Sequence, residues 1–174
     1  AAQIMPWVLG GTIGGLVFAL ITSFKKTWAP LTGPIYAFLQ GLALGGISSI
    51  LELQYPGIVI QAVTLTLGTL LALLAAYRSG MIRASENFKL GVASATGGIF
   101  LVYMSTWVLG FFGISMPFIH ESGIIGIGFS LVVVVVAALN LVLDFDFIES
   151  GETMQAPKYM EWYAAFGLLV TLVW

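Results

Sequence analysis

The segment Asn140-Leu-Val-Leu-Asp144-Phe-Asp146-Phe-Ile-Glu149-Ser-Gly-Glu152 places four carboxylates within nine residues, soon after the apolar run from Leu131 to Ala137. Groups of this kind can coordinate a hard cation, which prefers several oxygen ligands, or exchange protons as coupled carboxyls. Asn140 and Asp144 are four apart and share a helix face, while Asp144 and Asp146 point to nearly opposite sides. One aspartate can therefore face the interior of a helix assembly while the other faces headgroups or water. An acid held among apolar side chains is costly without a partner or a water-filled cavity, which makes it a functional candidate by default. A plainer reading stands beside this one. Counted from Gly123 at about 1.5 Å per residue, Asp144 lies roughly 31 Å along, where a span leaves the hydrocarbon. Glu149 and Glu152 read as solvated loop residues. An EF-hand is excluded, because Ile148 would occupy the fifth ligand position and Glu149 the position that needs glycine.

Other chemistry is sparse. His120 is the sole histidine, beside Pro117 and Glu121; it reads as a solvated loop residue, with a pH-sensitive group as the alternative. H-E-x-x-H, the G-x-S-x-G elbow and the phosphate-cradling G-x-x-x-x-G-K-[ST] are all missing. With no cysteine, thiolate metal sites and cysteine nucleophiles are excluded as well. The expectation is a protein that is not an enzyme and holds no cofactor. Glu52, before the Tyr55-Pro56-Gly57 turn, reads as interfacial. Glu161, next to Trp162 and Tyr163, reads as reaching the headgroup belt.

The elements that must carry these residues follow from composition. Of 174 residues, 59% are hydrophobic and only 8% charged, against about 45–50% apolar and about 25% charged in a soluble domain. So few charges cannot cover a water-facing surface, and the bilayer is the expected environment. The net charge of −2 leaves no basic face for a nucleic acid. Crossing about 30 Å of hydrocarbon takes roughly 20 helical residues. Continuous apolar runs predict spans near 4–24, 34–53, 58–77, 90–112 and 123–143, with a sixth starting near 159 and still apolar at 174. Barrel strands would alternate instead. The expectation is a single all-α transmembrane domain over residues 1–174, a multi-span helical bundle with six spans visible.

The basic residues orient it. Lys25 and Lys26, then Arg78, Arg83 and Lys89, then Lys158 all fall on alternate connections, which the positive-inside rule assigns to the cytoplasm. Residue 1 then starts outside and the final helix exits outside. Ala1-Ala2-Gln3 leads straight into apolar sequence and no polar residue follows Val173-Trp174, so the chain reads as part of a longer membrane protein. Close helix approach in lipid depends on small residues, and Gly10-Gly11, Gly14-Gly15, Gly41, Gly45-Gly46, Gly91, Gly97-Gly98 and Gly123, Gly126 and Gly128 supply them within spans.

The run Ala137-Ala-Leu-Asn-Leu-Val-Leu-Asp144-Phe-Asp-Phe-Ile-Glu149 resembles the bacterial branch of the Bax inhibitor-1 (transmembrane Bax inhibitor motif) family. Similar stretches are Ile35-Tyr-Ala-Phe-Leu-Gln-Gly-Leu-Ala-Leu-Gly-Gly-Ile-Ser48, Tyr55-Pro-Gly-Ile-Val-Ile-Gln-Ala62, Ile125-Gly-Ile-Gly-Phe-Ser130 and Glu161 through Trp174. The resemblance implies a seven-helix bundle in a bacterial inner membrane, of which this chain lacks the first helix and the end of the last. It also implies a slow, pH-sensitive calcium leak, with calcium as the transported ion. The gate it implies is a pair of aspartates on the family's sixth and seventh helices, near a basic residue from its second.

Asp144 resembles the sixth-helix aspartate, with Asp-x-x-x-Ile kept through Ile148. Lys25 or Lys26 stands where the basic partner would come from. Thr171 stands where the family has its second aspartate. A threonine cannot share a proton as a carboxylate does, so a switch of the family kind requires Asp146 or Glu161 to stand in. The candidate ion pathway is thus Asp144, Asn140, Asp146, Thr171 and Glu161. The alternative function is an accessory or regulatory subunit that packs against other membrane subunits without transporting anything.

Overall fold

A computed structural model of the chain describes residues 3–113 and 123–174. Among these residues the architecture is all-helical: α1 (Met5–Phe24), a 3-10 turn (Lys26–Trp28), α2 (Ala29–Gln54), α3 (Ile58–Arg78), α4 (Glu86–Phe111), α5 (Ile124–Thr153) and α6 (Tyr159–Val173). The first five are long and apolar enough to cross a membrane, and α6 is a shorter apolar helix. Side chains such as Leu65 and Val134 are 70% and 63% exposed, which suits a lipid solvent and not water. The chain is a multi-span helical membrane protein.

Three helix limits differ from the hydropathy reading. α2 starts at Ala29, before the expected 34, because Pro30 sits in the first turn, where its fixed φ suits a helix start. Pro34 is then inside the helix, with no amide hydrogen to give the carbonyl four residues back. α4 starts at Glu86, before the expected 90, where Ser85 caps it by accepting from the Phe88 amide at 3.3 Å. The largest correction is α5, which runs ten residues past 143 to Thr153. Its stop is a Schellman motif: Gln155 takes a positive φ of 51° while Ala156 N donates to Gly151 O at 2.9 Å and Gln155 N to Glu152 O at 3.1 Å. Acidic residues lower hydropathy without ending the backbone ladder, so the helix outlasts its apolar stretch.

The chain divides into two compact units. One comprises the chain up to Ala72 together with Asp144–Trp174; the other is Leu73–Leu143. In the first, α1 and α2 form a tight hairpin over glycine contacts. A Cβ on Gly15 would stand 2.6 Å from Gln40 Nε2, and one on Gly46 would collide with Val8. Ala29, Tyr36 and Ala43 are buried on α2, as is Phe166 on α6, which packs against α2. At the hairpin's tight end Thr22 donates to Thr32 Oγ1 at 2.7 Å, both buried. In the second unit, Asn140 of α5 reaches Thr96 of α4, and the rings of Tyr103 and Phe129 meet edge to face at 5.9 Å.

Candidate functional site

Asp144 lies about two and a half turns before the end of α5 and is half-buried. The Thr171 hydroxyl of α6 hydrogen-bonds to its carboxylate, and the same hydroxyl lies 3.2 Å from the Gly167 carbonyl oxygen. A hydroxyl has one proton, so it serves these two acceptors in alternation. Asp144 Oδ2 is buried with no hydrogen-bond partner among the described residues. Gly167 brings bare backbone to the acid: a Cβ there would stand 3.9 Å from Asp144 Oδ1. Carboxylate, hydroxyl and backbone carbonyl are therefore gathered where α5 meets α6. Chemically these are oxygen donors suited to a hard cation, with one carboxylate oxygen left open to a proton.

The other candidates are placed differently. Asn140 gives its amide to Thr96 Oγ1 and to Val136 O, each at 2.9 Å. Asp146 is half-buried and Glu149 exposed, and neither is without a partner. Glu161 is exposed in the first turn of α6, where a carboxylate is favoured by the helix dipole. Ten residues separate it from Thr171, about 15 Å of helix, so the structure does not bring it to Asp144. Lys25 lies over the Trp28 ring at 4.3 Å and Lys26 over Tyr163 at 5.0 Å. Both ammonium groups rest on rings and not on Asp144. His120 lies outside the described residues. Among the described residues no group of three or more His, Cys, Asp or Glu side chains gathers as a metal site.

Several polar residues take structural parts, and of these Tyr36, Gln40, Thr22 and Thr32 had no sequence signal of their own. Tyr36 is fully buried and accepts from Trp174 Nε1 at 3.0 Å. Gln40 is 3% exposed, and its Nε2 has no partner among the described residues. Thr22 lies three residues before Lys25 and Thr32 six after Lys26, a spacing that does not by itself point to a hydroxyl pair across a hairpin. Glu52 accepts from Gly57 N at 2.6 Å and Val59 N at 3.2 Å. It is exposed, and its carboxylate caps the start of α3.

No curated protein and no solved structure matches the chain. A family model described as Bax inhibitor 1 like does match, over residues 1–174. With its all-helical, multi-span architecture and a match along its full length, the chain belongs to the Bax inhibitor 1 like family.

Proposed function

We propose that the protein is a slow, pH-sensitive calcium leak of a bacterial inner membrane, with Asp144 as its gate and its basic connections in the cytoplasm. The observation that carries this reading is the half-buried Asp144 carboxylate, bonded to Thr171 while Oδ2 lacks a partner among the described residues. Apolar surroundings make an ionisable group costly unless it has a use for water, a proton or a cation. Calcium is cargo here, and the donors along its way are Asp144, Thr171 and the Gly167 carbonyl; no resident cofactor or catalytic group takes part. Protonation removes the charge that would attract the cation, which links flux to pH. Asn140, Asp146 and Glu161 have less direct parts, through the course of α5 and the mouth of α6.

The test is calcium flux into liposomes holding the full chain, wild type against Asp144→Asn. Asparagine keeps the shape but carries no charge and no titratable proton, so flux should change several-fold and lose its pH dependence. Identical flux, or none in either protein, would end this reading.

A second reading is an accessory subunit. Its support is that Gly41 and Gly45 on α2 and Gly91, Gly97 and Gly98 on α4 have, among the described residues, nothing within 4 Å of where a Cβ would stand. Such open small-residue faces are what another membrane helix packs against. Stoichiometric co-purification with other membrane subunits in mild detergent would favour it.

A further inference from the structure

We propose that Tyr36 and Trp174 are positioning residues for Asp144: together they set the rotation of α6 and hence the placing of Thr171 on the carboxylate. The proposal rests on the reading of Asp144 as the gate. Tyr36 is a fixed post. It is fully buried on α2, and α2 packs closely on α1, where a Cβ on Gly11 would run into the α2 backbone at Leu39 and Ala43. A buried phenol needs a hydrogen-bond partner, and the Trp174 indole supplies one at 3.0 Å. The Tyr36 ring also receives the edge of Phe166 at 5.0 Å. A single α2 side chain thus touches Phe166 of α6 and Trp174, the residue that caps its end, eight residues apart and about 12 Å along the axis.

Thr171 lies between those points, five residues after Phe166 and three before Trp174. At 3.6 residues per turn it is about 60° around the helix from Trp174. The face of α6 that holds Tyr36 and the face that meets Asp144 are therefore neighbours on one rigid rod. Turning the rod by about 30° carries a Cα at a radius of about 2.3 Å through about 1.2 Å, and a side-chain oxygen further. That is enough to break a hydrogen bond. Nearer the start of α6, Tyr163 meets Phe147 at 6.0 Å and Lys26 at 5.0 Å, about two turns from Thr171.

The experiment is infrared difference spectroscopy of the full chain in lipid, following the carboxyl band that Asp144→Asn removes. Thr171→Val should shift this band by removing its hydrogen bond. Tyr36→Phe and Trp174→Phe, which each keep an aromatic ring and delete one partner of the hydrogen bond, should shift it in the same direction, and the double variant no further than either single one. Thr22→Val deletes a buried hydroxyl at the hairpin and should leave the band in place. A band unmoved by Tyr36→Phe and Trp174→Phe overturns the positioning role, as does a Thr22→Val shift of equal size. Calcium flux separates the two readings: equal flux in wild type and Asp144→Asn removes the gate on which the proposal rests. A flux difference with an unmoved band removes the positioning role alone.

Discussion

Gly11 of α1 lies flat against the α2 backbone at Ala43: a Cβ on Gly11 would stand 2.8 Å from the Ala43 amide nitrogen and 2.6 Å from the Leu39 carbonyl oxygen. Backbone cannot swing aside as a flexible side chain can. Gly11→Ala should therefore force the hairpin apart and cost about 1–3 kcal/mol, the usual range for overpacking. A Cβ on its neighbour Gly10 would meet nothing within 4 Å among the described residues, and Gly10→Ala should change stability by no more than about 0.5 kcal/mol. Thermal unfolding of both variants in one detergent checks the contrast, and equal losses would contradict the packing described.

The hydroxyl pair at the other end of the hairpin makes a smaller and separable contribution. Thr22 Oγ1 donates to Thr32 Oγ1, which is 3.0 Å from the Trp28 carbonyl oxygen in turn. Hydrogen bonds between membrane helices average about 0.6 kcal/mol and reach about 1.7. A double-mutant cycle with Thr22→Val and Thr32→Val should give a coupling energy in that range. Strictly additive losses would mean that the two hydroxyls do not depend on each other.

How far such features can be read without coordinates depends on their range. Five spans were legible because each is a continuous apolar run, and hydropathy needs no partner to be seen. The end of α5 was not. Gly151 looks like a helix stop, but it lies inside the last turn, and the left-handed position falls on Gln155, a residue type that gives no such signal. The glycines mark the small-residue faces in the sequence, but whether Gly11 or Gly10 is the one in contact is decided by the partner helix, since adjacent residues point about 100° apart. Asp144 stood out as an acid beside apolar sequence. Tyr36 and Trp174 are 138 residues apart, and no local pattern joins them.

Glu52 tests whether a span-end acid has a structural part. Its two oxygens accept from the Gly57 and Val59 amides, donors that the first turn of a helix leaves without partners. Glu52→Ala should cost about 1 kcal/mol, within the 0.5–2 typical of lost caps, and Glu52→Gln less, because one acceptor oxygen remains. Hydrogen exchange at the Gly57 and Val59 amides should quicken in Glu52→Ala. Unchanged exchange there would show that the carboxylate is not what holds the turn.

Thr171 decides how Asp144 responds to protons. Its hydroxyl hydrogen-bonds to Asp144 without carrying charge, so Asp144 loses its proton without a coupled neighbour at that position. Thr171→Asp would bring a second carboxyl into contact. Carboxyls that interact by more than about one pK unit lose their protons in two macroscopic steps belonging to the pair. On the proposed calcium leak, flux through Thr171→Asp should then show two inflections against pH and the wild type a single one, and Asp144→Asn in the Thr171→Asp background should restore a single inflection. If Thr171→Asp kept one inflection while Asp144→Asn still altered flux, residue 171 would not lie against the titrating group, and the contact between α5 and α6 would need to be redrawn.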